Sequence, residues 1–176
     1  MAITINGSGT VSGITAGLTA AAMPAGSVLQ VVQATTQTGS EITSDTDFFS
    51  CSITPTASSS NVLVNAILQI GGACNPNGGF QLKRGSTPIN ITSSQYGSSV
   101  DAMWTMDDFG HPSNNANKAM ITALPVVFLD TGISTTSATT YTFRTTSVSS
   151  FMFNRDTHNG SSGYATSIFQ LWEIAA

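Results

Sequence analysis

The rhythm of apolar and polar residues changes at Gly26. Beyond it, apolar side chains recur at every second position, the period of a strand with one face turned to a core. Val28-Leu29-Gln30-Val31-Val32-Gln33 opens this region. Next, Val62, Val64, Ala66, Leu68 and Ile70 share one face of a single run, while Leu63, Asn65, Ile67 and Gln69 make a mixed second face. Phe80-Gln81-Leu82-Lys83-Arg84 follows and is closed by Gly85-Ser86-Thr87-Pro88. The pattern resumes at 124–129, at 140–144 with Tyr141 and Phe143 on one side, at 151–153 and at 165–174. No helical period is sustained after Gly26. Roughly eight strands separated by turn residues predict an all-β fold, an antiparallel two-sheet sandwich of jelly-roll type.

Residues 1–26 follow a different pattern and predict an extended N-terminal arm ahead of the sandwich domain at 27–176. Ile3-Thr4-Ile5 reads as a short strand and Asn6-Gly7 as a turn. The alanine-rich stretch 16–23 has room for one or two helical turns, too short to stand without a partner. The arm's apolar residues Ile3, Ile5, Val11, Ile14, Leu18 and Met23 are the ones expected to dock it. Residues 86–120 form a long excursion between strands, and such excursions tend to carry function or an interface.

Charge then sharpens the picture. Only 8% of residues are charged, and the first of them is Glu41. Soluble domains ordinarily carry about 25%. Ser and Thr replace the missing charge, but Ile, Val, Phe and Thr are too plentiful for a disordered chain. The expectation is a protein whose surface meets other copies of itself or a larger assembly. Net charge is −4 and the basic residues (Lys83, Arg84, Lys118, Arg144, Arg155) are scattered. No basic stripe for nucleic acid results. No run reaches the ~18 apolar residues of a membrane helix, and the first residues lack the pattern of a secretory signal. Of the two cysteines, Cys51 is in phase with Phe49 and Ile53 and reads as a buried thiol, whereas Cys74 lies in a glycine-rich loop. A bridge between them is the alternative, and a protein made in a reducing cytoplasm fits the pair equally well.

The search for chemistry yields little. His111 and His158 are the only histidines, and neither lies in a nucleophile motif. Asp107, Asp108 and His111, with Asp101 nearby, are oxygen and nitrogen donors without a recognisable cation-loop spacing. The only glutamates are Glu41 and Glu173, and Glu173 reads as a solvent-facing member of the last strand, so a paired-carboxylate glycosidase is disfavoured. The glycines at 7, 9 and 13 lack the helix, crossover and acid of a dinucleotide site. No catalytic residue, metal or cofactor is expected. Loop residues suited to stacking and hydrogen bonding with a surface glycan are Tyr96, Trp104, His111, Asn114, Asn115, Asp156, His158 and Asn159. The same aromatic and Met types also serve as anchors between subunits.

The opening Met1-Ala2-Ile3-Thr4-Ile5-Asn6-Gly7-Ser8-Gly9-Thr10-Val11-Ser12-Gly13-Ile14 resembles the start of virion proteins of tailed bacteriophages, notably of marine bacteria and cyanobacteria. Pro24-Ala25-Gly26-Ser27-Val28-Leu29-Gln30-Val31-Val32, Leu82-Lys83-Arg84-Gly85-Ser86, Phe128-Leu129-Asp130-Thr131 and Leu171-Trp172-Glu173-Ile174-Ala175 resemble the same group. The resemblance implies a virion surface protein, made in the host cytoplasm, with a docking arm and an outward β-rich part, often trimeric. The first functional reading is a tail-fibre or adhesion module that contacts other virion proteins, with the loop residues above meeting a host surface glycan. A capsid decoration (cement) protein is the alternative, and a glycan depolymerase the third reading. Unlike longer fibres, the chain has no shaft between arm and sandwich.

Overall fold

A computed structural model describes residues 4–5, 11–12, 23–71, 78–89, 104–106, 121–146, 151–156 and 164–176. The strands are β1 (Thr4–Ile5), β2 (Val11–Ser12), β3 (Val28–Thr36), β4 (Ser40–Ile42), β5 (Asp47–Ile53), β6 (Asn61–Gly71) and β7 (Gly78–Arg84). They continue as β8 (Thr87–Ile89), β9 (Trp104–Met106), β10 (Ile121–Asp130), β11 (Thr139–Thr146), β12 (Phe151–Phe153) and β13 (Ser167–Ile174). No helix occurs among the described residues. The chain is all-β, with two antiparallel sheets packed face to face and a separate two-stranded β1–β2 ladder.

The pairing is nested. β3 pairs β13, β5 pairs β11, β6 pairs β10, and β7 pairs β8 and β9. Early strands therefore meet late ones, and the middle strands meet each other. Two further ladders, β13 with β6 and β11 with β7, join these ribbons into sheets. The first sheet runs β3-β13-β6-β10, with β12 and β4 continuing beyond the end of β13. The second runs β5-β11-β7, then β8 and β9 side by side on β7. The 86–120 excursion thus contributes two short strands to the second sheet.

Alternation along each strand delivers the core. Val62, Val64, Leu68, Phe169 and Leu171 from the first sheet meet Phe80, Leu82, Tyr141 and Phe143 from the second, all at 0% exposure. Phe169 bridges the layers, its ring centroid 4.8 Å from that of Phe143 and 5.6 Å from that of Phe49. The β5–β11 register steps from Phe143 opposite Phe49 to Arg144 opposite Asp47. Phe48 is the extra residue of that bulge. Its ring packs against Phe153 at 4.9 Å in an edge contact, so two consecutive phenylalanines both reach the core.

Cys51 is the buried free thiol that the strand phase predicts. Burial raises its pKa, opposed by the backbone N–H groups of Ser52 and Ala34. Cys74 lies outside the described residues. The C-terminal strand is tied in as the alternation implies: Gly26 N donates to Ala175 O at 2.7 Å and Ala175 N to Ser27 O at 2.9 Å.

Candidate functional site

Two buried acids anchor one end of the sandwich. Glu173 and Asp130 both stand opposite Val62, on its two sides, and all three point inward. The expectation for Glu173 is therefore corrected: it is 0% exposed and not solvent-facing. Its inward phase is that of Ser167, Phe169 and Leu171 on the same strand. The carboxylate survives burial because it is surrounded by donors. Oε1 accepts from Ser60 Oγ at 2.6 Å, Thr56 N at 2.7 Å, Thr56 Oγ1 at 2.8 Å and Ala57 N at 3.3 Å, and Oε2 accepts from Gln30 Nε2 at 2.6 Å. Burial alone would push its pKa up; the hydrogen bonds from Ser60, Gln30 and Thr56 outweigh that and hold it below the usual value.

Asp130 accepts from Arg84 Nη1 at 2.8 Å, Tyr141 Oη at 2.7 Å and Gly132 N at 2.9 Å. Burial first, and then the hydrogen bond to Asp130, raise the Tyr141 pKa far beyond its ordinary range. These groups pin the loops at 54–60 and 131–138. Beside them Arg84, Ile133, Ser134 and Thr140 line a cleft of about 400 Å³. No buried side-chain nitrogen or oxygen lacks a partner among the described residues. No group of three His, Cys, Asp or Glu there is placed to hold a metal.

The outer faces of the two sheets differ sharply. On the second sheet, Asp47 accepts from Lys83 at 3.0 Å and Arg144 at 3.3 Å, among the hydroxyls of Ser50, Ser52, Thr140 and Thr142. Slight burial pushes the Asp47 pKa up, and the two cations lower it by more. This is an ordinary wet surface.

The first sheet presents no ionised side chain across its β3-β13-β6-β10 field. Register places the outward residues in three rows. Val31, Trp172, Leu63 and Leu129 form one; Gln33, Gln170, Asn65 and Val127 the second; Thr35, Ile168, Ile67 and Pro125 the third. Val127 is 69% exposed, Leu129 and Val31 47%, and Ile67 41%. The middle row is knitted together by amides. Gln170 Nε2 donates to Gln33 Oε1 at 2.8 Å, Asn65 Nδ2 to Gln170 Oε1 at 3.1 Å, and Trp172 Nε1 to the same oxygen at 3.2 Å. These bonds hold the indole and the amides in fixed positions. Four strands about 4.8 Å apart, spanned over 168–174 at about 3.4 Å per residue, give a field of about 450 Å². The field is uncharged but mixed, with apolar-rich rows on either side of the amide row of Gln33, Gln170 and Asn65.

Of the residues singled out from sequence, Ile5 and Val11 lie opposite each other in the β1–β2 ladder and Met23 is half-buried. Trp104 begins β9, opposite Phe80. Asp156 is buried at 8% exposure, beside Arg155, whose Nε donates to its carbonyl oxygen. Ile3, Ile14, Leu18, Tyr96, His111, Asn114, Asn115, His158 and Asn159 lie outside the described residues, as do Asp101, Asp107 and Asp108. The outward field was half-visible in the sequence, since Leu63 and Ile67 alternate with the core residues of β6. Its extension over β10, β13 and β3 depends on register, which no local signal carries. No protein-family model and no curated protein matches the chain.

Proposed function

We propose that the chain is a structural protein of a tailed-phage particle, an adhesion or tail-fibre-like module that works as a homo-oligomer and holds its place through the uncharged field of its first sheet. The segregation of charge carries this reading. Ion pairs and hydroxyls occupy one outer face, while Val127, Leu129, Ile67 and Val31 stand exposed on the other with no charged residue among them. Burying that field between subunits removes apolar area from water at about 25 cal/mol per Å² and desolvates no ion.

The strand order supports a jelly roll. Naming the eight main strands B to I in chain order, β3, β5, β6, β7, β8, β10, β11 and β13, the sheets read B-I-D-G and C-H-E-F. Viral capsid and lectin domains use this architecture. Residues 1–26 carry no charge and are read as the arm that docks on the particle.

Immunogold labelling of purified particles with an antibody to the chain tests the proposal. Label on the tail is the expected result, and label on the head assigns the cement role instead. Particles that carry none of the chain overturn the virion reading.

A further inference from the structure

We propose that β3 is a pairing edge, joined in the assembled protein to β3 of a second copy about a two-fold axis with Gln33 opposite Gln33. Open strand edges invite such pairing, and proteins usually blunt them with charge, proline, bulges or brevity. The other edges here are blunted. β5 carries Asp47 and the Phe48 bulge, β10 carries Pro125 and ends on Asp130, and β4, β8 and β9 are three residues each. β3 is weakly defended: it spans Val28–Thr36 with no charge and no proline, and its bulge sits at one end. Its one irregularity lies at Leu29, next to the register step at Glu173/Ile174, and Gln30–Thr36 is regular. On its free side, among the described residues, a groove of about 460 Å³ runs past Ala34, Thr35 and Thr36 to Phe48 and Ser50, with Asp47 of β5 on its far wall.

The occupant follows from the strand's own sequence. The regular segment is centred on Gln33. Antiparallel pairing about that residue places Val31 opposite Thr35 and Val32 opposite Ala34 of the second copy, with outward side chains meeting outward ones. Gln33 is also the end of the amide row, its Oε1 accepting from Gln170. Its Nε2 donates to no described residue. Gln33 of a second copy supplies both an acceptor and a donor there. The row then runs unbroken through Asn65, Gln170 and Gln33 of both copies. Such pairing also makes the uncharged fields of the two copies one continuous surface. A charged or differently spaced partner strand would gain neither the continued row nor the matched faces.

This contact is separate from the field that anchors the proposed function, and its test reads position 33 directly. In full-length protein carrying Cys74→Ser, mild oxidation of Gln33→Cys should convert monomer to a disulfide-linked dimer. Directly paired Cα atoms lie about 4.5–5.5 Å apart, within disulfide reach. Val31→Cys alone and Thr35→Cys alone should stay monomeric on denaturing gels, because each lies about 14 Å along the strand from its own copy. Mixing Val31→Cys with Thr35→Cys should restore the link with Gln33 intact. Formation of either predicted dimer with both single controls unlinked supports the pairing. Absence of both dimers overturns it, as does equal linking of all three single variants or a three-fold assembly in which position 33 stays unlinked.

Discussion

Glu173 shows how a single residue is decided by its surroundings. In the sequence it is an acid between Trp172 and Ile174, with nothing to mark it as buried. Its donors lie in the 54–60 loop and at Gln30, more than a hundred residues away, so only the folded chain brings them together. Since its folded pKa is depressed, its contribution to stability is present above the unfolded value of about 4.3 and lost as pH falls through the folded value. Glu173→Gln should cost about 2–3 kcal/mol at neutral pH, because a charged acceptor of several bonds is replaced by an amide that also brings unwanted donors. The variant's stability should fall less steeply below pH 4 than that of the parent. Urea midpoints from pH 3 to 7 measure both effects; parallel curves would mean that Glu173 does not ionise in the fold as described.

Gly71 is constrained by a neighbour instead of by its own conformation. A β-carbon there would run into the carbonyl oxygen of Arg155 and lie 2.9 Å from Met152 Cβ. Gly71→Ala should therefore destabilise the domain by about 1–3 kcal/mol by forcing β12 away from β6. Thermal unfolding checks this, and an unchanged midpoint would contradict the close approach.

At the scale of elements, the long strands were legible and the short ones were not. β6, β11 and β13 carry clear alternation over eight or more residues, and β7 and β10 show the pattern over part of their length. β4 and β9 are three residues each and carry no such signal. In β5 the phase of Phe49, Cys51 and Ile53 was legible, but the bulge that also turns Phe48 to the core was not. The junction at Asn154 was equally silent. It adopts φ 57°, a left-handed conformation that Asn tolerates. From there its Oδ1 accepts from Ser167 Oγ, its Nδ2 donates to Thr36 O, and its N donates to Gln69 O. One residue thus ties β3 and β13 through its side chain and β6 through its backbone, beside the end of β12.

The N-terminal arm makes its own prediction at this scale. Gly26 and Ser27 bond to Ala175, so the sandwich needs the chain from about that point onward. Deleting residues 1–22 should leave a domain with unchanged far-ultraviolet circular dichroism and urea midpoint, but abolish its entry into particles. Normal incorporation of the truncated chain would remove the arm from the docking role.

For the whole molecule, the decisive feature is that the low charge content is unevenly distributed. Among the described residues, the Lys83–Asp47–Arg144 cluster keeps one outer face wet and Asp130, Asp156 and Glu173 are buried, while the β3-β13-β6-β10 field of the other outer face carries no charge. The sequence announced the scarcity of charge but not its placement, which depends on which strands share a sheet. Val127 is the most exposed large apolar residue of the field, so an acid there should leave folding unchanged within about 0.5 kcal/mol, as for most surface substitutions. It should instead oppose any contact that dries the field. Sedimentation velocity of the full chain and of Val127→Asp, over the same range of protein concentration, tests the central claim most directly. The account predicts that the parent sediments as a larger species than the variant, with both chains folded by circular dichroism; identical sedimentation at every concentration would contradict it.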